Sequence, residues 1–505
     1  MTQHHPDLPA EQEFIDFAYR CLEQSKADAW KMRGLHEGTL GGTFQARYER
    51  DVFDEAVFNR LTQLDLGDAA LVFGRIDRAT DDVASPESFH IGRLAVADEH
   101  ADPVVVDWRA PIAEPFYRAT GREPLGLVRR RHFHVHGREL LGIEDELFGE
   151  GHLGIGAEGD VVAASPDGIR GYSTLLAALS RGRTGQLGDI VATIQGEQDE
   201  IIRSPQAGVL VVQGGPGTGK TVVALHRAAY LLYTYRFPLE DQGVLVIGPN
   251  RVFLRYIERV LPSLGEAGVE QAVLADLVQD VQWARYGIDR ADSHLAAKVK
   301  GDTRMSLVID QAVTDRERSL REDLVVPFRT GYIRLRVEES HRIVKAAQRR
   351  FRRHNAARRW VEGEVWSAMA ASSRLADVTP NEVRDAVRSL PEVREALERM
   401  WPVLTPAQLL HDLFGSKALL KLAAQRHLPE AEYLALYRPR SADVNDVRWT
   451  EHDVALLDEA KNYLGSKPSK HRTEEQDDTR TYGHIVVDEV QDLTPMQLRM
   501  VSRRS

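Results

Sequence analysis

Cysteine is almost missing from this 505-residue chain, with Cys21 its one example. That excludes a disulfide framework and a cysteine-built zinc site, and it fits a reducing compartment. Long apolar runs are missing as well. No stretch of about 18 consecutive apolar residues occurs. The opening "MTQHHPDLPAEQEF" lacks the apolar segment of a secretory signal. Membrane spanning and export are therefore not expected, and the cytoplasm is the expected location. Positive charge is not in excess either. With 65 Lys and Arg against 76 Asp and Glu, the net charge is -11. This excludes a general nucleic-acid coat but leaves room for a local basic stripe. What is present is ordinary for a globular chain: 43% hydrophobic and 28% charged residues. At about 150 residues per domain the length suggests three or four domains.

Along the chain, residues 10 to 37 read as a helix. Phe14, Phe17, Ala18, Cys21 and Leu22 recur at three- and four-residue steps. "GTLGG" breaks the pattern, and Phe44, Tyr48, Phe53, Val57, Leu61 and Leu64 resume it. Residues 1–66 thus suggest an antiparallel helical hairpin, either packed on the rest of the protein or projecting as a coiled coil. Residues 67–150 carry short β-prone runs between Asp, Gly and Pro, as in "FHIGRLAVAD" and "DPVVVDWRAP", and predict a small β-rich domain. In "HFHVHG", His132, His134 and His136 alternate, which puts them on one strand face. With no cysteine or acidic partner in the run, a solvated face is expected rather than a metal site. Residues 151–190 read as a linker followed by a helix at 171–183. The formal GxGxxG of Gly149, Gly151 and Gly154 lacks a preceding strand and an immediate helix, so it reads as linker too.

The chemistry begins at "AGVLVVQGGPGTGKTVVALHRAAYLLY". The apolar "AGVLVVQ" predicts a buried strand. It runs into Gly214, Gly215, Pro216, Gly217, Thr218, Gly219, Lys220 and Thr221, and a helix follows. This is GxxxxGK[ST] in its required context. The glycines let backbone N–H groups turn inward around phosphate oxygens, and a helix N-terminus adds partial positive charge. Lys220 is the residue to reach the β- and γ-phosphates of ATP, and Thr221 the one to place its hydroxyl on Mg²⁺. Far downstream, "HIVVDEVQD" gives a short apolar strand ending in acid residues. Asp488 is placed to hold Mg²⁺, and Glu489 to orient and deprotonate an attacking water.

A phosphate loop combined with "DEVQD" resembles the UvrD/Rep branch of superfamily 1 helicases. The resemblance implies a glutamine that reads adenine upstream of the loop, for which Gln198 stands at the usual distance and Gln195 is second. It implies a nucleic-acid-touching loop at Gly248, Pro249 and Asn250. It also implies that Gln491 and Asp492 couple the nucleotide to a second motor domain. "FHIGRLAVADEHADPVVVDWRAPIAEPFYRAT", "GPNRVFLRYIERVLPSLGE" and "WTEHDVALLDEA" narrow the resemblance to HelD-type proteins, the RNA polymerase recycling ATPases. The expected fold is α/β. A RecA-like P-loop NTPase domain with a parallel sheet occupies 191–505 and carries a mostly helical insertion at about 270–480. The helical hairpin and the β-rich domain precede it. The expected partners are RNA polymerase and DNA or another nucleic acid, with release driven by ATP and Mg²⁺. A general 3′–5′ DNA helicase and a catalytically incomplete polymerase-binding fragment are the alternatives.

Within the insertion, "SHRIVKAAQRRFRRHNAARRWV" holds eight basic residues and no acidic one. On one continuous helix, Arg342, Lys345, Arg349, Arg352, Arg353 and Arg359 fall on one face, a candidate contact for nucleic acid or polymerase. "GSKPSKHRTEEQDDTR" reads as a disordered loop. Only 17 residues follow Asp488. In the resembling motors a second RecA-like domain supplies an arginine finger, and a further strand lies between the acidic strand and the phosphate-loop strand. The expectation is therefore a chain truncated at its C-terminus, with a gap in its sheet and efficient hydrolysis lost.

Overall fold

The structure, a computed structural model, describes residues 5–37, 69–80, 86–148, 194–235, 243–258, 269–278, 281–283, 291–375, 377–468 and 479–505, with single positions 57, 61, 64, 66, 239 and 242. The chain divides into two compact units. One comprises Met1–Ala272 with Tyr482–Asp488, and the other Val273–Thr481 with Glu489–Ser505.

The first unit opens with α1 (Leu8–Glu37). Glu11 sits in its first turn, where the helix dipole favours an acid. Ile15, Ala18 and Leu22 follow at helical spacing and pack with Leu71, Val96, Val105, Phe133 and Leu140. The first half of α1 is therefore seated on a sheet. Phe17 of the expected apolar stripe turns outward instead, while Phe14 stacks on His90 with ring centres 3.5 Å apart. The second helix of the expected hairpin lies outside the described residues.

The sheet is built from β1 (Val72–Arg78), β2 (Glu87–Gly92), β3 (Val96–Ala97) and β4 (Pro103–Asp107), then, after the short helix α2 (Glu114–Arg118), β5 (Leu127–His136) and β6 (Glu139–Leu147). Its order is β3-β4-β2-β1-β5-β6. A β-rich region thus stands where alternating runs predicted one. A charge network pins α1 to it. Glu11 accepts from Arg131 at 2.6 Å, from Arg75 at 2.9 Å and lies 2.8 Å from His90. Ion pairs this well buried hold geometry more than they add stability. The His132 side chain packs on Phe116, ring centres 4.8 Å apart, while His136 is exposed. The histidine face is thus not uniformly solvated, because α2 covers one end of it.

Next come α3 (Gly196–Arg203), α4 (Lys220–Thr234), β7 (Val244–Ile247), α5 (Arg251–Glu258) and β8 (Val269–Ala272). The last strand of this unit, β13 (His484–Val487), pairs in parallel with β7, which pairs in parallel with β8. All four residues of β7 are buried, as the centre of a parallel sheet requires. Val223, Leu225 and Ala228 of α4 share one apolar core with Val244 and Val246, and with Phe73, Trp108 and Phe116 of the preceding region.

The expected strand "AGVLVVQ" is corrected here. Residues 207–213 form no strand, and Val209 and Val211 are 94% and 78% exposed. The segment starts near β13, since Gln206 donates to the Gly483 carbonyl at 3.1 Å. Beside it, β13 pairs with β7 and, among the described residues, with no strand on its other side. An apolar run is buried only when a neighbouring strand covers it.

The second unit contains β9 (Gln282–Trp283), α6 (His294–Lys300), α7 (Arg304–Thr314), the hairpin β10 (Leu324–Phe328) and β11 (Gly331–Leu335), α8 (Val337–Arg350), α9 (His354–Ala371), α10 (Pro380–Val387), α11 (Pro391–Met400), α12 (Pro406–Phe414), α13 (Lys417–Ala424), α14 (Glu430–Ala435), β12 (Arg448–Trp449), α15 (Val454–Leu464) and α16 (Pro495–Ser502). The caps explain several boundaries. Thr379, Thr405 and Thr494 each accept an N3 backbone N–H just before a proline at N1. Its helices enclose two cores, one around Trp401 and Val361, the other around Phe414, Leu456 and Met500. At its end, Arg503 and Arg504 of the last turn pair with Asp458, buried on α15.

Candidate nucleotide site

The phosphate-loop motif folds as a tight turn entering α4. Gly217 and Gly219 have φ of 78° and 84°, left-handed values that favour glycine. A side chain at Gly214 would place its Cβ 2.8 Å from the Thr218 hydroxyl, so this glycine is needed for closeness rather than for φ. Thr218 Oγ1 donates to the Gly215 carbonyl at 2.9 Å and closes the turn. Lys220 Nζ reaches back over the loop to the carbonyls of Gly214 and Gly215, at 3.0 and 2.9 Å. The ammonium is thereby held at the mouth of a loop followed by a fifteen-residue helix whose positive end faces the same way. Gly214, Gly215, Pro216, Gly217 and Thr218 are all exposed, so an anion can approach.

The structure brings two distant parts of the motif set together. Thr221 Oγ1 donates to Asp488 Oδ2 at 2.9 Å, across 267 residues of sequence. Asp488 stands just past β13, and its N–H donates to the Ile247 carbonyl of β7 at 3.1 Å. A hydroxyl and a carboxylate oxygen sharing one point beside an anion-favouring loop suit the hard oxygen-ligand chemistry of Mg²⁺. Of the two glutamines, Gln198 reaches the loop and donates to the Thr218 carbonyl at 3.2 Å, while its own carbonyl accepts the Gln195 N–H at 3.1 Å. Gln195 sits at the N-cap of α3 and is exposed. Gly248, Pro249 and Asn250 form the turn after β7, and Asn250 caps α5 by accepting the Phe253 N–H at 2.9 Å.

Glu489 belongs to the second unit, and its φ is +52°, a left-handed value rare for a non-glycine residue. The Gln491 side chain donates to its carboxylate, and the Asp492 N–H donates to its carbonyl at 2.9 Å. The strained residue is thus the one with the expected proton-transfer role.

The basic stripe differs from its expected form. The helix stops at Arg350 and restarts at His354, with Phe351 extended at φ −112° and ψ 133°. Arg342, Lys345, Arg349, Arg352 and Arg359 are exposed, but they lie on two helices and a link rather than on one face. Arg353 is half-buried and packs on the Gly465 turn. The break arises because Phe351 turns to Trp360, ring centres 5.9 Å apart, and Trp401 donates to the His354 carbonyl at 2.7 Å.

Two arginines that the motifs did not flag hold this site's surroundings. Arg227 on α4 donates to the carbonyls of Ile201, Ile202, Ser204 and Pro205, at 2.6 to 3.2 Å. Arg203 on α3 donates to the carbonyls of Trp108 and Arg109, at 2.8 and 3.2 Å. Their one sequence signal is an arginine set in an apolar helix face, as in "VVALHRAAYLLY". Nearby His226 is fully enclosed. Burial pushes it down to about 4, against a smaller upward pull from its bond to the Val222 carbonyl.

Residues 8–160 match the family model described as DNA helicase IV HelD, N-terminal domain. This N-terminal part of the chain is HelD-like. No curated protein matches the chain. The HelD-like region contains α1, the six-stranded sheet and the Trp108 segment that Arg203 grips. Among the described residues no helix is long and apolar enough to cross a membrane.

Proposed function

We propose that this HelD-like protein binds ATP with Mg²⁺ at residues 214–221 and acts on RNA polymerase to release bound nucleic acid. The observation that carries the nucleotide half is the Thr221–Asp488 contact of 2.9 Å, which joins the two parts of a cation site beside a glycine-formed loop. In this reading Gly214 to Gly219 present backbone N–H groups to the phosphates, and Lys220 neutralises their charge. Thr221 and Asp488 hold the metal, which shields phosphate charge when bound. Gln198 stands at the adenine side. Glu489 orients and deprotonates water, and Gln491, bonded to its carboxylate, sets its direction. The match of residues 8–160 to the HelD N-terminal domain supports the polymerase half by resemblance. The exposed arginines Arg349 and Arg352 offer a second, nucleic-acid contact.

A second reading has its own support. The uncovered Val209–Val211 strip beside an open sheet edge favours a chain that binds nucleotide and polymerase but does not turn over efficiently, as a part of a longer protein would. An ATPase assay on wild type and Lys220→Ala, with RNA polymerase pull-down, separates these readings. Lys220-dependent turnover with polymerase capture supports the first. Capture without turnover supports the second. DNA unwinding without polymerase capture points to a general helicase and contradicts both.

A further inference from the structure

"DWRAP", one of the segments that narrowed the resemblance, has no role in the chemistry above. It nevertheless meets the nucleotide site through α3, a helix of eight residues. At one end of α3, Gln198 donates to the Thr218 carbonyl of the loop at 3.2 Å. At the other, Arg203 donates to the carbonyls of Trp108 and Arg109. Asp199 fixes that guanidinium at 2.8 Å, and the Tyr230 ring of α4 lies 5.3 Å from it. Arg109 in turn is locked to Asp107 at 2.7 Å and lies 4.8 Å from the Tyr233 ring of α4. Each end of α3 thus grips a main-chain carbonyl of a different part.

The joint also carries unmet polar groups. Trp108 Nε1, Tyr117 Oη, Asp199 Oδ2 and His226 Nε2 are buried with no hydrogen-bond partner. They cluster, for the Trp108 ring centre lies 5.5 Å from His226 and 6.5 Å from Tyr117. Buried polar groups are normally paired, so four orphans in one joint point to a second arrangement, or a hydrated one, in which they pair.

We propose that α3 couples the phosphate loop to the HelD-like region, with Arg203 as the positioning residue that passes a change at Thr218 to the Trp108–Arg109 segment. The proposal rests on residues 214–221 being a nucleotide site. Arg203 touches no reacting atom, so its effect is on transmission.

Hydrogen-exchange mass spectrometry of the full chain, with and without ADP and Mg²⁺, tests it. In wild type, nucleotide slows exchange at 214–222 and also at 105–118. In Arg203→Ala, protection at 214–222 stays while the response at 105–118 is lost. Arg203→Lys, which can still donate to a carbonyl, keeps at least part of that response. Should Arg203→Ala fail to fold by circular dichroism, Arg203→Gln, too short to span both carbonyls, is expected to show the same loss. A response at 105–118 that is unchanged by these substitutions, or absent while 214–222 is protected, overturns the coupling. No protection at 214–222 in wild type overturns the nucleotide reading and the coupling with it.

Discussion

At the scale of single residues, burial sets the pH response of the first unit. His226 is held neutral at about 4, below the ordinary histidine value of 6.5, by its enclosure. The unfolded chain therefore binds the proton more readily. The stability tied to neutral His226 is complete above about pH 6.5 and is lost as the pH falls toward 4, by about 3 kcal/mol in total. Glu11 acts in a lower window. Burial opposes its ionisation, but His90, Arg131 and Arg75 hold the carboxyl down to about 2 against an ordinary 4.5. Its contribution is present above about pH 4.5 and fades as the pH falls through 2. Acid unfolding followed by circular dichroism should begin below pH 6.5, and His226→Gln should remove about one proton from the early slope. Gly219→Ala tests the loop. At φ +84° an alanine costs about 1–2 kcal/mol, and its Cβ would lie 3.2 Å from Gln198 Nε2, so both stability and nucleotide affinity should fall. Such loop residues are legible in a sequence because their chemistry is contiguous. Arg203 and Arg227 are not, because an arginine bonded to carbonyls leaves no pattern in neighbouring residue types.

Among the elements, strand pairing decides what periodicity cannot. "AGVLVVQ" has the composition of a buried strand, yet hydropathy says nothing of which strand lies beside it. The described residues leave Val209 and Val211 exposed and one edge of β13 open. An open edge beside an apolar strip invites association. Val209→Lys with Val211→Lys should reduce concentration-dependent self-association in sedimentation and leave the circular dichroism spectrum unchanged. The basic segment shows a related limit. A 100° periodicity drawn over residues 342–359 assumes one helix, whereas packing of Phe351 on Trp360 ends α8 at Arg350. The exposed pair Arg349 and Arg352 remains a candidate phosphate contact. Arg349→Ala with Arg352→Ala should lower the slope of log affinity against log salt by about 2 for single-stranded DNA. An unchanged slope would mean these charges only face solvent. The helix at 8–37, the β-rich region after it and the helix behind Lys220 were all readable, because each carries its own periodicity and stop signals.

For the molecule as a whole, two units with separate cores divide the expected motor residues, with Asp488 in one and Glu489 in the other. The nucleotide contacts through Thr221 and Asp488 lie within the first unit, which also holds the HelD-like region. Binding can therefore be tested apart from turnover. The contact between Thr221 and Asp488 was foreseeable only as two motifs with matching roles, since 267 residues separate them and no local rule closes that distance. The most direct measurement is equilibrium titration of the full chain with fluorescent ADP, with Mg²⁺ and with Mg²⁺ chelated. Wild type should bind more tightly when Mg²⁺ is present. Lys220→Ala should lose roughly tenfold or more, as removal of charge-assisted hydrogen bonds implies. Asp488→Asn should retain binding but lose most of its Mg²⁺ dependence. Equal affinity in wild type and Lys220→Ala, or no saturable binding by wild type, would contradict a nucleotide site at residues 214–221.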